Sequence, residues 1–239
     1  MTTMTTGAVR SDDRLLELAE AKEPRAGGAL VTINDPAGVT EILLIRHGQM
    51  PAAVGIQDDF PLTDIGREQA EVLADYLAKR KPLDAVISSP YRRALETAEP
   101  IAARQSLKVE TDRSLREIDL HIPLGTTLQA VMGDEAWQAM RKRIAEERRW
   151  DARGEYGESS ASIRGRVAAA VDRAIALHAG GRVALVTHGP VINAYVAHLL
   201  RSPIDMLFQP RLTSVTVVWA KDGLRDLKVL SSTAHFGTF

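Results

Sequence analysis

The amino-acid sequence predicts an α/β protein, a three-layer sandwich in which a mostly parallel central sheet is flanked by helices. Two apolar runs, 42–45 and 183–187, read as buried strands, and each leads to a His-Gly pair. From Thr40 onward, strand patterns alternate with helix patterns, which favours a parallel sheet covered on both faces. Ligands collect beyond the carboxyl ends of such strands, so His47 and His188 are expected to face one crevice.

Three strands and a long helix are predicted in the first half of this pattern. The strands lie at 42–45, 83–88 and 107–110, where aliphatic and β-branched residues cluster. Between the first two strands, Thr63 is expected to cap a helix. The helical period places five side chains of this helix toward the core: Ile65, Val72, Leu73, Tyr76 and Leu77.

A second helix is predicted after 83–88. Ser89 is expected to cap it and Pro90 to occupy its first turn, while Pro100 is expected to kink or shorten it. The polar stretch 125–150 is predicted to be helical with an interruption at 133–134.

The second half of the chain is predicted to supply two further helices and a terminal hairpin. A helix at 159–179 leads into the second His-Gly strand, and another helix follows at 191–200. Strands at 215–219 and 224–229 form the hairpin. Five residues of the first of these helices are expected to face the core: Ile163, Val167, Val171, Ala174 and Leu177.

Composition excludes several classes of function. The 239 residues carry a formal net charge of −1, so no global basic field recruits nucleic acid or an anionic membrane. The absence of cysteine excludes disulfides, thiolate nucleophiles and cysteine metal sites, and it fits a cytoplasmic location. We find neither a secretory apolar core at the start nor a run of the roughly 18 apolar residues that a membrane span needs.

Residues 1–39 are predicted to form an appendage to the main domain at 40–239. A short helix at 12–22 and an edge strand at 29–33 are expected within it. The appendage and the terminal hairpin are candidate contacts of a homo-oligomer.

Several short segments of the chain form an ordered set of motifs. In chain order they are Arg46-His47-Gly48, 61–70, 88–98, 115–119, Gly157-Glu158-Ser159 and Thr187-His188-Gly189. Together they resemble one protein family, the histidine phosphatase superfamily of phosphoglycerate-mutase-like proteins. The resemblance covers about residues 40–230 and implies the phosphoglycerate-mutase-like form of the α/β sandwich.

The resemblance implies a role for each of five residues. His47 is the nucleophile that forms a phosphohistidine, and Glu117 is the general acid and then the general base. Arg46 and Arg93 grip the phosphoryl oxygens, and His188 donates to one of them, which we expect it to do as a cation.

Two neighbouring residues compete with these assignments. Arg92 points about 100° away from Arg93 on a helix and is expected at the surface. Asp119 shares a face with Glu117 if that segment is extended, so spacing alone does not choose between the two carboxylates, whereas the resemblance favours Glu117. The Glu158-Ser159 pair is expected to be a structural helix cap.

Four further residues are candidate substrate contacts: Gln49, Gln57, His121 and Gly189. The chain departs from the family pattern at Gln49-Met50 and in the segment around His121, which bears on substrate specificity and rate. No metal and no cofactor is expected, because the remaining histidines lack ligand spacing.

The predicted function is hydrolysis of a phosphomonoester, a small phosphorylated metabolite, through a phosphohistidine intermediate. A phosphoglycerate mutase-type phosphoryl transferase and a weakly catalytic protein that binds phosphorylated ligands are the alternatives. The separation of 71 positions between Glu117 and His188 (188 minus 117) resembles that of the shorter, phosphatase-like branch of the family. A mutase must retain its intermediate and exclude water, so the absence of a longer enclosing insertion favours hydrolysis. A helical lid is predicted at 126–156.

Overall fold

A computed structural model of the chain describes residues 32–51 and 59–237. The predicted helix at 12–22, residues 29–31 of the predicted edge strand, and Gln57 lie outside the described residues. Residues 32 and 33 are not part of a strand, although the sequence placed them in one. Among the described helices, none is both long and apolar enough to cross a membrane.

Six strands and six α-helices make up the described fold, together with short 3₁₀ segments. The strands are β1 Thr40–Arg46, β2 Ala85–Ser88, β3 Val109–Thr111, β4 Arg182–Thr187, β5 Val215–Lys221 and β6 Leu224–Ser232. The α-helices are α1 Asp64–Ala78, α2 Arg92–Arg104, α3 Leu128–Met132, α4 Asp134–Glu147, α5 Ser160–Leu177 and α6 Gly189–Leu199. The 3₁₀ segments are Arg113–Leu115, Trp150–Tyr156 and Ala234–Phe236.

The strands form one sheet in the order β3-β2-β4-β1-β5-β6. Strands β1 to β4 pair in parallel, whereas β5 runs antiparallel to β1 and to β6. This confirms the predicted mostly parallel sheet. The central pair is β1 and β4, whose last residues, Arg46 and Thr187, are opposite each other. The residues that follow, His47 and His188, therefore leave the same edge of the sheet side by side.

The sheet is covered on both faces because successive residues of a strand point in opposite directions. Ile42 and Leu44 of β1 belong to a core cluster that includes α5 and α6. Leu43 and Ile45 belong to a second cluster that includes α1 and α2. Burial on both faces explains why β1 and β4 appear in the sequence as continuous apolar runs rather than as alternating patterns.

Several local predictions were wrong about which way a side chain faces or where a helix begins. Ile65 and Val72 are exposed on α1, and Leu177 is 75% exposed at the end of α5. Helix α2 begins at Arg92, and Ser89 does not cap it. Ile65 is the second residue of α1 and Leu177 is the last residue of α5, so both lie at a helix end.

Other local predictions are confirmed. Thr63 caps α1 by accepting a hydrogen bond from the Gly66 amide, and Ser159 caps α5 in the same way. The polar stretch is helical, with a break between α3 and α4 at Gly133. The expectation for Pro100 is not confirmed, because α2 continues for four residues beyond it and does not end there, and a kink stays a prediction.

Two glycines let the turn after β1 approach the start of α1. A Cβ atom on Gly66 would lie 2.1 Å from the Gln49 carbonyl oxygen, and one on Gly48 would lie 2.6 Å from the Gly66 carbonyl oxygen. The Gln49 carbonyl also accepts a hydrogen bond from the Thr63 amide, at 2.9 Å. Helix α1 therefore supports the turn that carries His47.

We expect the substitution Gly66→Ala to lower the free energy of unfolding, because its methyl group meets a backbone atom that is fixed by hydrogen bonds. Overpacking of this kind costs about 1–3 kcal/mol. The matched control is Gly165→Ala in α5, where a Cβ meets nothing within 4 Å. It should raise stability by about 0.5–1 kcal/mol. Urea unfolding measures both, and a Gly66→Ala variant as stable as the wild type would contradict the close approach.

Candidate active site

A buried group of ionisable side chains lies where β1 and β4 end. The rings of His47 and His188 are 5.2 Å apart between centroids, and both side chains are buried. Glu117 lies beside them, so that one nitrogen of each ring and a carboxylate oxygen all fall within 4.8 Å of one another. The structure thus brings together the two histidines and the carboxylate that the sequence predicted.

His47 has one free ring nitrogen. Its Nδ1 is 2.8 Å from the Gly48 carbonyl oxygen, and because a carbonyl only accepts, Nδ1 must carry the proton. Nε2 is therefore left with a lone pair. Burial, with Arg93 and Arg46 nearby, lowers the pKa of His47 to about 3, even though the hydrogen bond to Gly48 opposes this shift. The ring is neutral at any ordinary pH.

His188 is fully buried and lies between two partners. Its Nε2 is 2.8 Å from the Ser89 hydroxyl, and its Nδ1 is 3.6 Å from Oε2 of Glu117. Burial, followed by the proximity of His47 and Arg93, lowers the pKa of His188 well below its ordinary value. Burial and the neighbouring cations thus favour the neutral ring, which disagrees with the expectation of a cation.

Two arginines reach the same pocket from different elements. Arg46, the last residue of β1, donates from Nη1 to the Pro210 carbonyl at 2.7 Å, while its buried Nε has no hydrogen-bond partner among the described residues. Arg93 lies in the first turn of α2, is 1% exposed and has its Nη2 3.9 Å from Glu117. Burial lowers the pKa of both guanidinium groups, yet such groups keep their charge in proteins.

Arg92 and Arg93 point in different directions, as the helical geometry predicts. Arg92 is exposed and pairs with Glu96, at 3.2 Å between nitrogen and oxygen, on the surface of α2. Arg93 enters the pocket.

The structure separates the two rival carboxylates. Glu117 is buried, and its Oε1 accepts a hydrogen bond from the Ile118 amide at 2.8 Å. Burial raises the pKa of Glu117, although Arg93 and Arg46 act in the opposite direction. Asp119 instead has a half-exposed side chain with its carboxylate 3.9 Å from Arg116. Glu117 is therefore the carboxyl group that can hold a proton inside the pocket.

The candidate substrate contacts are placed differently from one another. The Gln49 side-chain oxygen accepts from the Thr63 hydroxyl at 2.8 Å, which turns it toward α1. His121 donates from Nδ1 to the Glu155 carbonyl at 2.7 Å and is exposed. Gly189 begins α6, and a Cβ there would lie 3.6 Å from Nε of Arg46. The structure leaves Gln57 undescribed.

Four residues of the site were missed at the sequence level. Ser89 binds His188, and the Tyr91 ring packs edge-on against that histidine with 5.5 Å between centroids. The Thr97 hydroxyl accepts from the Gly48 amide and donates to the Arg93 carbonyl. These three residues lie in the motif 88–98 and could have been considered. The fourth residue, Arg153, is half-buried and acts on the pKa of Glu117. It had no sequence signal, because it lies in a polar stretch rich in arginine.

The cluster of His47, Glu117 and His188 also has the spacing of a metal site. The electrostatic surroundings oppose a divalent cation, since Arg46 and Arg93 act on all three groups. The donor set suits an anion better, because two guanidinium groups and the amino-terminal end of α6 converge on it.

Comparisons with known proteins agree with this arrangement. The sequence model of the family described as histidine phosphatase superfamily (branch 1) matches residues 42–233. A glucosyl-3-phosphoglycerate phosphatase of Mycolicibacterium vanbaalenii is 36% identical over 178 residues, which are 70% of this chain and 77% of the relative.

Solved structures with the same fold include a phosphatase and a mutase. A mycobacterial glucosyl-3-phosphoglycerate phosphatase in complex with inorganic phosphate has a TM-score of 0.70 at 30% identity, over 82% of this chain and 98% of that chain. A phosphoglycerate mutase from Bacillus anthracis has a TM-score of 0.71 over 84% of this chain and 97% of that chain. At 21% identity, the likeness to the mutase shows the fold alone.

Proposed function

The chain belongs to the histidine phosphatase superfamily, and we propose that it hydrolyses small phosphate monoesters through a phosphohistidine on His47. The observation that carries this proposal is the hydrogen bond from Nδ1 of His47 to the Gly48 carbonyl. It fixes the tautomer, so that Nε2 presents a lone pair beside His188 and Glu117. A neutral, fixed imidazole next to guanidinium groups is suited to attack phosphorus.

In the first step, Nε2 of His47 forms a bond to phosphorus while the bond from phosphorus to the ester oxygen breaks. The departing alcohol oxygen takes the proton of Glu117, whose raised pKa keeps that proton available. In the second step, Glu117 as a carboxylate takes a proton from water. The resulting hydroxide attacks phosphorus, the bond from phosphorus to Nε2 breaks, and phosphate leaves.

Arg46, Arg93 and His188 hold the phosphoryl oxygens during both steps. Arg46 has a buried Nε without a hydrogen-bond partner among the described residues, which an oxygen of the substrate would satisfy. For His188 to donate into the site, its proton must lie on Nδ1, with Nε2 accepting from the Ser89 hydroxyl at 2.8 Å. Transfer of a phosphoryl group needs positioning and charge stabilisation above all, and these groups supply both.

We assign residues 126–156 as a lid of the catalytic domain at 40–239, and 1–39 as its appendage. Met140 of α4 packs with Leu120, which follows Glu117 by three residues. The Glu155 carbonyl accepts from His121 in the same stretch. These contacts support a lid that adjoins the general acid.

The substrate is proposed to be a small phosphorylated metabolite. The relative named a glucosyl-3-phosphoglycerate phosphatase and the neighbour that binds inorganic phosphate support hydrolysis. A mutase would use the same phosphohistidine but return the phosphoryl group to the product. A cytoplasmic location and a homo-oligomer stay predictions of the sequence.

We expect His47→Ala to lower turnover of 4-nitrophenyl phosphate to background, because the nucleophile is lost. The matched control is His198→Ala, which removes an exposed histidine of α6 and should retain wild-type turnover. Phosphate release measures both variants. Hydrolysis that survives His47→Ala at the wild-type rate would overturn the nucleophile, and formation of 2-phosphoglycerate from 3-phosphoglycerate in place of phosphate release would overturn hydrolysis.

The variant Glu117→Gln should discriminate between leaving groups. With an alkyl phosphate, whose alkoxide needs a proton, we expect kcat/KM to fall by about 10²–10⁴-fold. With 4-nitrophenyl phosphate the loss should be much smaller, because the phenolate leaves without a proton. The rival carboxylate provides the control, since Asp119→Asn should affect both substrates little. Equal losses on both substrates in Glu117→Gln would contradict the role of general acid.

The pH dependence follows from the same groups. Because burial raises the pKa of Glu117, its protonated form persists to higher pH than that of an exposed glutamate, and the alkyl-phosphate reaction should decline as pH rises through that pKa. Protonation of His47 should not lower the rate at acidic pH until the pH approaches the pKa of that ring, which is about 3.

A further inference from the structure

Glu117, the proposed general acid, lies in a segment that no regular element holds in place. It follows the 3₁₀ segment Arg113–Leu115 and belongs to neither an α-helix nor a strand. Its Oε1 accepts from the Ile118 amide, so the carboxylate is fixed to the backbone that carries it. The position of the carboxyl group in the pocket therefore depends on what holds this backbone.

Arg166 of α5 holds the backbone on the amino-terminal side of Glu117. Its Nη1 donates to the carbonyls of Ser114 and Arg116, at 2.7 and 2.9 Å. Its Nη2 donates to the carbonyl of Glu117 itself, at 3.2 Å. Backbone carbonyls need hydrogen-bond partners, and here one guanidinium serves three of them in place of a helix or a sheet.

Glu158 orients this guanidinium. Its Oε1 accepts from Nε of Arg166 and its Oε2 from Nη2, both at 2.8 Å, and the two side chains are 5% and 11% exposed. Together with the three carbonyls, this bidentate pair uses all five N–H donors of Arg166. The amide of Glu158 also donates to the Asp119 carbonyl at 2.8 Å, which ties the chain on the other side of Glu117 to the same pair.

The pair is not explained as a helix cap, which is the role expected of the Glu158-Ser159 motif. The cap of α5 is the Ser159 hydroxyl, which accepts from the Ser162 amide. Burial alone would raise the pKa of Glu158, but the hydrogen bonds and charge of Arg166 hold that pKa below its ordinary value. A buried ion pair adds little stability over a well-packed apolar pair of similar size, whereas its bidentate hydrogen bonds fix geometry closely.

We propose that Arg166, oriented by Glu158, is a positioning residue that holds the carboxyl group of Glu117 where the departing alcohol can take its proton. This inference rests on the proposed function, because it uses Glu117 as the general acid. Arg166 makes its contacts with Glu158 and with the backbone, so it reaches the reaction through Glu117. Its loss should weaken protonation of the leaving group and leave the attack by His47 intact.

The test is the ratio of kcat/KM for 3-phosphoglycerate, an alkyl phosphate, to that for 4-nitrophenyl phosphate, whose phenolate leaves without a proton. The amount of folded enzyme cancels in this ratio, and so does an effect of the Arg166 charge on His188, which is proposed to bind the phosphoryl group of both substrates. In Arg166→Gln the ratio should fall by about 10- to 100-fold, because a misplacement of about 1 Å can cost about 10²-fold. Glu158→Gln removes the charge that orients Arg166 and should lower the ratio by a smaller factor.

The matched control is Arg164→Gln. Arg164 lies on the same helix and likewise binds a carboxylate, that of Asp205, and backbone carbonyls, those of Ser202 and Ile204. None of these groups belongs to the segment of Glu117. The substitution should therefore cost stability of the same kind and leave the ratio unchanged.

A double variant tests whether Arg166 acts through the acid. Adding Arg166→Gln to Glu117→Gln should lower the ratio no further, because no acid is left to position. The inference is overturned if Arg166→Gln keeps the wild-type ratio, as a purely structural pair would, if Arg164→Gln lowers the ratio equally, or if the double variant shows an additive loss. Should Arg166→Gln not fold, Glu158→Gln decides by the same criterion.

An unchanged ratio in Glu158→Gln beside a lowered ratio in Arg166→Gln would overturn the orienting role of Glu158. Failure of the proposed function is a different result. In that case Glu117→Gln would itself keep the wild-type ratio, or hydrolysis would survive in His47→Ala, whatever Arg166→Gln does.

Discussion

Burial of ionisable groups at the end of two parallel strands is the constraint on which the site depends. Water is excluded from His47, His188 and Glu117, so each group is pushed toward its neutral form. Guanidinium groups stay charged in spite of burial, because their pKa is far above neutral pH. The same desolvation thus favours a neutral nucleophile and a protonated acid beside permanently charged arginines. An anionic substrate meets a cationic pocket without any histidine having to be charged.

The sheet makes this burial possible. The central position of β1, between β4 and β5, buries it on both faces and places His47 next to His188. The turn after β1 is held from the other side by α1, through the close approach of Gly48 and Gly66. Thr97 of α2 then accepts a hydrogen bond from the Gly48 amide, which links that turn to the helix carrying Arg93. Fold stability and the geometry of the nucleophile therefore depend on the same few contacts.

Much of this could be predicted from the sequence because its strongest signals are local. Continuous apolar runs identify doubly buried strands, and ordered motifs identify the pocket residues that follow them. Side chains such as Ile65 and Leu177 were misplaced because a helical period does not show how far the core extends toward each end of a helix. Ser89 has cap chemistry in sequence, yet its hydroxyl is used by His188, a residue 99 positions away. Arg153 could not be singled out from the sequence, because only the structure shows that two of its guanidinium nitrogens are buried.

The protonation state of His47 in the unliganded protein tests the central claim most directly. Nitrogen-15 NMR of the imidazole, with His47→Ala used to assign its signals, should show a neutral ring protonated at Nδ1 at pH 6, with no titration until the pH nears its pKa of about 3. The substitution Glu117→Gln should leave that tautomer in place, since the Gly48 carbonyl fixes it. A ring that titrates near the ordinary histidine pKa, or that carries its proton on Nε2, would contradict the account.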